Sequence, residues 1–415
     1  LDDVTATAEA VARASYGRLI AFMATRTGDV AGAEDALSEA FATALAAWPS
    51  DGVPAKPEAW LLTVARRKLI DAARRHRTGQ DAASHLRLIA EERAAAEQGD
   101  VPDERLTLMF VCAHPAIDPG VRAPLMLQTV LGLDAATIAS AFLTAPAAMG
   151  QRLVRAKSRI KLAGIPFRQP GHADLPERLG AVLEAIYAAF SAGWMDPAGA
   201  DLRARDLARE AIWLCRVVVA LLPHEPEALG LLALMLYAEA RRAARRTAAG
   251  DYVPLDQQDV AAWNPLPIRE AETLLRRASD RAMPGRFQLE AAVQSAHVAG
   301  RAAGRTDWRA ISQLYATLFA LTGSPVVAIN QAVALAETDG PAGGLAALDA
   351  LADDPRLADY QPYWAARAGL QARLGLVTEA EHAYQRAIGL EADPAVRRFL
   401  QQRQAALTPP RDSAR

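Results

Sequence analysis

The chain has 415 residues, 51% of them hydrophobic, only 6% aromatic and 94 of them alanine. Alanine favours helix and lets helices pack closely, so the mixture points to an all-α protein of two or three domains and against all-β folds, which need β-branched and aromatic strands. Charged residues make up 23% and leave ample apolar content for a core, which excludes general disorder, while a net charge of −2 hides strong local clustering.

Taken in chain order, residues 1–78 read as a helical bundle. Ala8 to Thr27 is periodic and stops at Gly28-Asp29, and Ala31 to Trp48 follows. Pro49 to Lys56 then reads as a loop, and Pro57 opens a helix Glu58 to His76 at the one helical position where its missing N–H costs nothing. Arg66 to Arg77 holds six Arg or Lys against Asp71 alone. Residues 79–101 are polar, alanine-rich and acidic and are expected to be a flexible linker.

A second compact unit is expected over 102–168, with helices Asp103 to Cys112 and Gly120 to Leu131 and a turn at Gly132-Leu133-Asp134. Asp134 can cap a short helix Ala135 to Phe142, and Thr144 a long one, Ala145 to Leu162. Arg152 to Arg168 carries six bases and no acid. A short helix, a tight turn and a longer basic helix are the parts of a helix-turn-helix.

After a short linker at 169–176, residues 177–405 read as helical pairs, followed by a tail at 406–415. Tyr315, Asp349 and Tyr384 lie 34 and 35 residues apart, with prolines downstream at Pro325, Pro355 and Pro394 that are expected to end helices. Trp364, Gly375, Ala380, Tyr384 and Ala387 have tetratricopeptide spacing, so a degenerate α-solenoid is expected, into which 250–300 fits poorly.

The run Ala33-Glu34-Asp35-Ala36-Leu37-Ser38-Glu39-Ala40-Phe41, then Trp48, Pro57-Glu58-Ala59-Trp60-Leu61 and Ala65-Arg66-Arg67-Lys68-Leu69-Ile70-Asp71, resembles region 2 of bacterial sigma factors of the extracytoplasmic-function class. Gly132 to Lys161 resembles their region 4, and Gln151 to Lys157 is similar to the subgroup with a tetratricopeptide-like C-terminal extension. The resemblance implies two small sigma domains followed by that extension. It also implies core RNA polymerase as partner, through the β′ clamp helices and the β flap, and promoter DNA as ligand.

Carried over by position, the resemblance makes Asp35 and Glu39 the polymerase-binding residues, with Leu37 and Phe41 turned to the core. Arg66, Arg67, Lys68, Arg74 and Arg75 would meet phosphates at the -10 element, and the Pro49 to Lys56 loop would capture a flipped base. Trp60 lies on the apolar side of its helix, which weighs core packing above base stacking. At the -35 element the candidates are Ala148, Gly150, Gln151, Arg152, Arg155 and Lys157; Gln151 could read adenine and Arg152 guanine. The extension departs from the family pattern at Gln258-Asp259-Val260-Ala261-Ala262-Trp263-Asn264, which lacks an arginine and an aspartate, and agrees with it at Asp339-Gly340-Pro341.

Enzyme chemistry finds no support. There is no phosphate-binding loop beside Gly343-Gly344, Cys112 and His114 have no second pair to complete a zinc site, and no nucleophile elbow occurs. No catalytic residue, metal or cofactor is expected. The longest apolar run, Leu229 to Tyr237, is far below the roughly 18 residues of a membrane span. With two isolated cysteines, Cys112 and Cys215, and no signal-like N-terminus, a cytoplasmic protein is expected. The reading is thus a sigma factor whose extension modulates activity, binds a partner or contacts the sigma domains; the alternative is a tetratricopeptide scaffold that recruits protein without promoter-specific initiation.

Overall fold

The structure is a computed structural model that describes residues 2–76, 102–142, 144–171, 173–194, 202–280 and 284–407. The linker expected at 79–101 and all but the first two residues of the tail at 406–415 lie outside the described residues. Among those described there are eighteen α-helices, short 3-10 turns and no strand beyond one isolated bridge, Arg246 with Tyr252. The chain divides into two compact units, Leu1–Trp194 with Arg203–Val217, and Met195–Leu202 with Val218–Arg415.

In the first unit, helices α1 (Asp2–Thr27), α2 (Val30–Asp51) and α3 (Pro57–His76) pack together. Asp29 caps α2 by accepting the Gly32 N–H at 3.0 Å. The expected break at Pro49 does not occur. Proline 49 sits inside the last turn of α2, where one lost intrahelical bond is tolerated, and Gly52, at φ 81°, ends the helix by donating to the Trp48 carbonyl. The loop before α3 is correspondingly shorter.

Helices α4 (Arg105–Cys112), α5 (Pro119–Leu131), α6 (Ala135–Ala141) and α7 (Pro146–Leu162) follow, and α8 (Leu175–Trp194) packs on α4 and α5. Asp118 caps α5 through the Gly120 N–H, and Gly132 at φ 73° closes it. Asp134 caps α6 as its position foretold, accepting from Ala136 and Thr137 at 2.9 and 2.8 Å. Thr144 does not cap α7. Its hydroxyl donates back to the Phe142 carbonyl, and the proline at position 146 takes the first helical turn, where one N–H fewer needs a cap.

The three-helix bundle and the α4–α7 segment are not separate bodies within this unit. α1 packs on α4 and α5, and α2 touches α7. Gly17 on α1 lies against the backbone of α5: a Cβ there would stand 1.9 Å from the Val130 carbonyl oxygen. Gly132 repays the approach, its α-carbon facing the Tyr16 ring, with a would-be Cβ only 2.9 Å from it. α8, expected at the start of the extension, also belongs here, and Arg178 on it donates to the Phe110 carbonyl at 2.5 Å. Most of α9 (Leu202–Leu221) completes the unit, with Trp213 under the Arg105 guanidinium at 4.9 Å.

The second unit holds α10 (Pro226–Ala240), α11 (Pro265–Ser279), α12 (Arg286–Ala302), α13 (Trp308–Thr322), α14 (Pro325–Thr338), α15 (Pro341–Asp349), α16 (Gln361–Arg373), α17 (Val377–Leu390) and α18 (Pro394–Ala405). Each packs on its neighbours in chain order. Prolines mark beginnings here, not endings: Pro325 and Pro394 open α14 and α18, and Pro355 opens a 3-10 turn. Of the three repeat positions, Tyr384 is buried, whereas Asp349 reaches outward to Arg367 at 2.6 Å. Gly375 at φ 74° makes the turn between α16 and α17, and Ala380, Tyr384 and Ala387 point into the core between helices. Glu227 on α10 caps the start of α12, accepting the N–H groups of Phe287 and Gln288 at 3.0 and 3.1 Å. Three 3-10 turns, Arg242–Arg245, Leu255–Gln257 and Val260–Ala262, lead into α11 and overlap the start of 250–300, the stretch expected to fit the repeat poorly; Gln258 and Trp263, which follow the second and third turns, are buried.

Candidate nucleic-acid interface

The α2 helix divides cleanly into faces. Ala33, Ala36, Leu37, Ala40 and Ala44 are buried, while Asp35, Ser38 and Glu39 are exposed. Phe41 is half-buried. Glu39 pairs with Lys68 of α3 at 3.0 Å, so one expected polymerase contact and one expected phosphate contact neutralise each other on the surface. Asp35 stays available.

On α3 the basic run is sorted by helical geometry. Arg67 is exposed and Lys68 half-exposed, but Arg66 is only 5% exposed, with its guanidinium 5.3 Å from the centroid of the Phe22 ring. Arg66 was expected on the phosphate side; it follows Leu62 by four residues, and that spacing carries it onto the buried stripe. Trp60 is half-buried and rests against buried Trp48, ring centroids 5.6 Å apart at 60°. The side chains of Arg74 and Arg75 lie outside the described residues.

On α7, Met149, Leu153, Ala156 and Ile160 are buried. The opposite face presents Ala148, Gln151, Arg152 and Arg155, beside half-exposed Gly150. Nothing lies within 4 Å of where a Gly150 side chain would start, so packing does not require glycine there. Arg152 donates to the Gly120 carbonyl at 3.0 Å, which ties it to the start of α5. Arg152, Arg155 and Arg159 rim a cleft of about 330 Å³ floored by Ile117, Val121 and Ala156. The surroundings are cationic: His114 is held below its ordinary proton affinity by burial and by Arg178 and Arg122.

Lys157 is placed differently from its neighbours. Its ammonium meets Glu34 of α2 at 2.5 Å, the two side chains 12% and 11% exposed, so the expected DNA contact faces the three-helix bundle. One turn on, Lys161 pairs with Asp29 at 2.7 Å. Burial raises the Glu34 carboxyl above its usual value, Asp35 adds to this, and Lys157 opposes it. For Asp29 burial also opposes ionisation, but the Gly32 N–H and Lys161 prevail and hold the carboxyl below its usual value. Sequence reasoning passed over Glu34, although its position one residue after Ala33 and three before Leu37 puts it on the apolar stripe of α2, where an acid requires a partner.

Cys112 is buried beside the Thr129 hydroxyl at 3.5 Å, and burial pushes its thiol up to about 12. His114 accepts the Ala116 N–H through Nδ1 at 3.1 Å. Among the described residues no group of three or more His, Cys, Asp or Glu could hold a metal, and no helix is long and apolar enough to cross a membrane.

Comparison with known proteins accords with this layout. Residues 11–78, the α1–α3 bundle, match Sigma-70 region 2, a family that in general binds core RNA polymerase and promoter DNA. Residues 178–279 match a family of unknown function (DUF6596). No solved structure matches the chain significantly. An uncharacterized protein of Rhizobium meliloti (strain 1021), R00370, is 40% identical over 365 residues, which cover 86% of each chain. The chain therefore belongs to the family of R00370, and its N-terminal bundle is a sigma-70 region 2 with a sigma-factor-like role in transcription.

Proposed function

We propose that this protein is a sigma factor of the extracytoplasmic-function type that directs core RNA polymerase to specific promoters. The observation that carries the reading is the pairing of a region 2 bundle with the capped α6, its turn and α7, which has a buried apolar stripe and an outward face of Gln151, Arg152 and Arg155. In this reading α6 and α7 are a helix-turn-helix, and the first turns of α7 enter the major groove at the -35 element. Arg67 and Lys68 contact phosphates at the -10 element, and Asp35 with Glu39 docks on the β′ clamp helices. The nine helices of the second unit act as a tetratricopeptide-like module that modulates activity or holds a partner. The protein works in the cytoplasm and lends specificity to a polymerase without catalysing a reaction itself.

The test is transcription in vitro by purified core polymerase on selected promoter fragments at low salt, with and without the chain. Specific initiation is the expected result. If the chain binds core enzyme yet never directs initiation, a recruiting scaffold replaces this reading. Locally, Arg152→Ala is expected to lose about 1–3 kcal/mol of discrimination at one base pair of the -35 element. Equal loss on every sequence would make Arg152 a phosphate contact.

A further inference from the structure

The second unit gathers more positive charge in one place than its acids balance. Arginines occupy positions 241, 242, 245 and 246, from the end of α10 through the first 3-10 turn, and Arg301 of α12 and Arg398 of α18 face the stretch that follows. Three of these have acids: Arg242 pairs with Glu239 at 2.7 Å, Arg398 with Asp251 at 3.0 Å, and Arg246 with Asp393. Among the described residues Arg241 and Arg301 have none. Arg241 donates to the Tyr237 carbonyl at 3.3 Å and to Gln294 Oε1 at 2.5 Å, and Arg301 to the Gln258 carbonyl at 2.8 Å, all neutral oxygens. The titratable groups that bear on Arg241 are Arg245, Tyr252 and His297, none of them a carboxylate. A guanidinium enclosed among neutral oxygens keeps much of its desolvation cost until an anion meets it.

Two buried side chains beside these arginines carry polar atoms that the fold does not use. Trp263 is 5% exposed, its ring lies 5.9 Å from the Arg241 guanidinium, and its indole Nε1–H, which can only donate, finds no partner among the described residues. The Nε–H of Arg301 is likewise buried without an acceptor. Gln258 is 4% exposed; its Nε2 donates to the Val253 carbonyl at 3.2 Å, which fixes the amide and leaves Oε1 as an acceptor without a donor. Helix geometry makes these one group. Gln294, His297 and Arg301 follow one another at the i, i+3, i+7 spacing of a single α12 face. That face meets Arg241 through Gln294, and through Arg301 it meets Gln258, five residues before Trp263. Burial and then Arg241 hold His297 down to about 4, so the charge of the group is that of its arginines. Arg241, His297 and Arg301 are half-buried, so an ion from solution can reach them.

Such a group takes an anion with oxygens for several donors and one proton for the Gln258 oxygen. A phosphate that keeps a proton has both, whereas a carboxylate or a sulfate at neutral pH has no proton to give. We propose that Arg241, Trp263, Arg301 and Gln258 form a binding site for phosphate, free or as a monoester, in the second unit. Charge-assisted bonds from guanidinium to phosphate are among the strongest a protein makes, and here they would offset a desolvation cost already present in the fold. The site does not depend on the sigma-factor reading, since no residue of the first unit enters it.

The experiment uses the full chain labelled with 5-fluorotryptophan, the fluorine resonance of Trp263 being assigned by its loss in Trp263→Phe. Inorganic phosphate, glycerol 3-phosphate and sulfate are titrated at fixed ionic strength. The resonance is expected to move saturably with phosphate, at least about tenfold more tightly than with sulfate, because an unpaired Gln258 oxygen penalises an anion that cannot donate. Saturation by inorganic phosphate identifies the free ion, and saturation by glycerol 3-phosphate alone identifies a monoester. Arg241→Met and Arg301→Met should each weaken binding about tenfold or more. If these variants fail to fold, the comparison with sulfate on the unsubstituted chain decides, together with Arg301→Lys, which keeps the charge, removes the Nε–H and should show the same loss. A resonance unmoved by both phosphates overturns the site, as does equal affinity for sulfate or a movement that survives the arginine substitutions.

Discussion

Lys157 and Glu34 stand 123 positions apart in sequence and 2.5 Å apart in the fold, each with little more than a tenth of its side chain exposed. Removing one partner of such a pair leaves a buried charge alone, whereas removing both leaves only a packing problem. Glu34→Leu alone is therefore expected to cost the first unit about 3–5 kcal/mol, and Glu34→Leu with Lys157→Met to fall within about 1 kcal/mol of the original. Urea denaturation followed by tryptophan fluorescence would check this. Equal losses in the two variants would show that the pair's charge is solvated.

Arg66 and Arg67 are adjacent in the basic run but do opposite work. Arg66→Ala is expected to lower stability by about 1–3 kcal/mol, because its stem and guanidinium fill space beside Phe22. Arg67→Ala should leave the melting temperature unchanged and reduce the salt slope for single-stranded DNA by about 0.7. Parallel salt titrations and thermal melts of both variants separate the roles; a loss of slope in Arg66→Ala would return that residue to the interface.

Gly17→Ala is expected to be among the most damaging single-methyl changes in the first unit. The added Cβ would fall 1.9 Å from a backbone oxygen, which no rotamer can avoid. A loss of about 3 kcal/mol or more is expected, while Gly150→Ala, with open space around it and a helical backbone, should gain about 0.5–1 kcal/mol. Should Gly150→Ala also weaken promoter binding, the glycine is there to let DNA come close.

Acid should reach the outer pair, Lys161 with Asp29, only after the inner one, Lys157 with Glu34, because the Asp29 carboxyl is held below its usual value and the Glu34 carboxyl above it, so the two can be separated by pH. The Asp29 carboxyl is held below its usual value in the fold, so its contribution is present above the unfolded value near 3.8 and is lost as pH falls through the folded one. Asp29→Asn keeps the cap of α2 and removes only the charge. The two proteins should differ by at most about 1 kcal/mol at pH 7 and should converge near pH 3 or below. Glu34 runs the other way: its raised carboxyl favours the fold below about 4.5, an advantage lost as pH rises through the folded value. A gap between wild type and Asp29→Asn that widens towards acid would show the sign to be wrong.

Local chemistry was well written in the sequence. The Asp134 cap, the Gly132 stop, the prolines that open α3 and α7 and the split faces of α2 all follow from short-range rules that the fold left intact. What could not be read was whatever depends on a distant neighbour. Counting charge over residues 66–77 treats Arg66 and Arg67 alike; helical spacing from Leu62 sets Arg66 on the buried stripe, and the distant Phe22 supplies the ring it rests against. The acidic stretch between the two sigma-like parts argued for separation, and nothing local announces that Gly17 and Val130 touch. The repeat in the second unit was visible as spacing, but Asp349 occupies its position with an outward ion pair where Tyr384 is buried.

The bond from Arg152 to the Gly120 carbonyl bears on how a base would be read, beyond whether it is. A long guanidinium side chain ordinarily surrenders on the order of 2 kcal/mol of rotamer entropy when it is immobilised. Here part of that loss has been taken during folding, since one N–H is already anchored on the first turn of α5. Binding by a side chain so tethered would carry a smaller entropic penalty and a sharper angular tolerance, so calorimetry of Arg152 against a lysine in its place would register geometry more than charge.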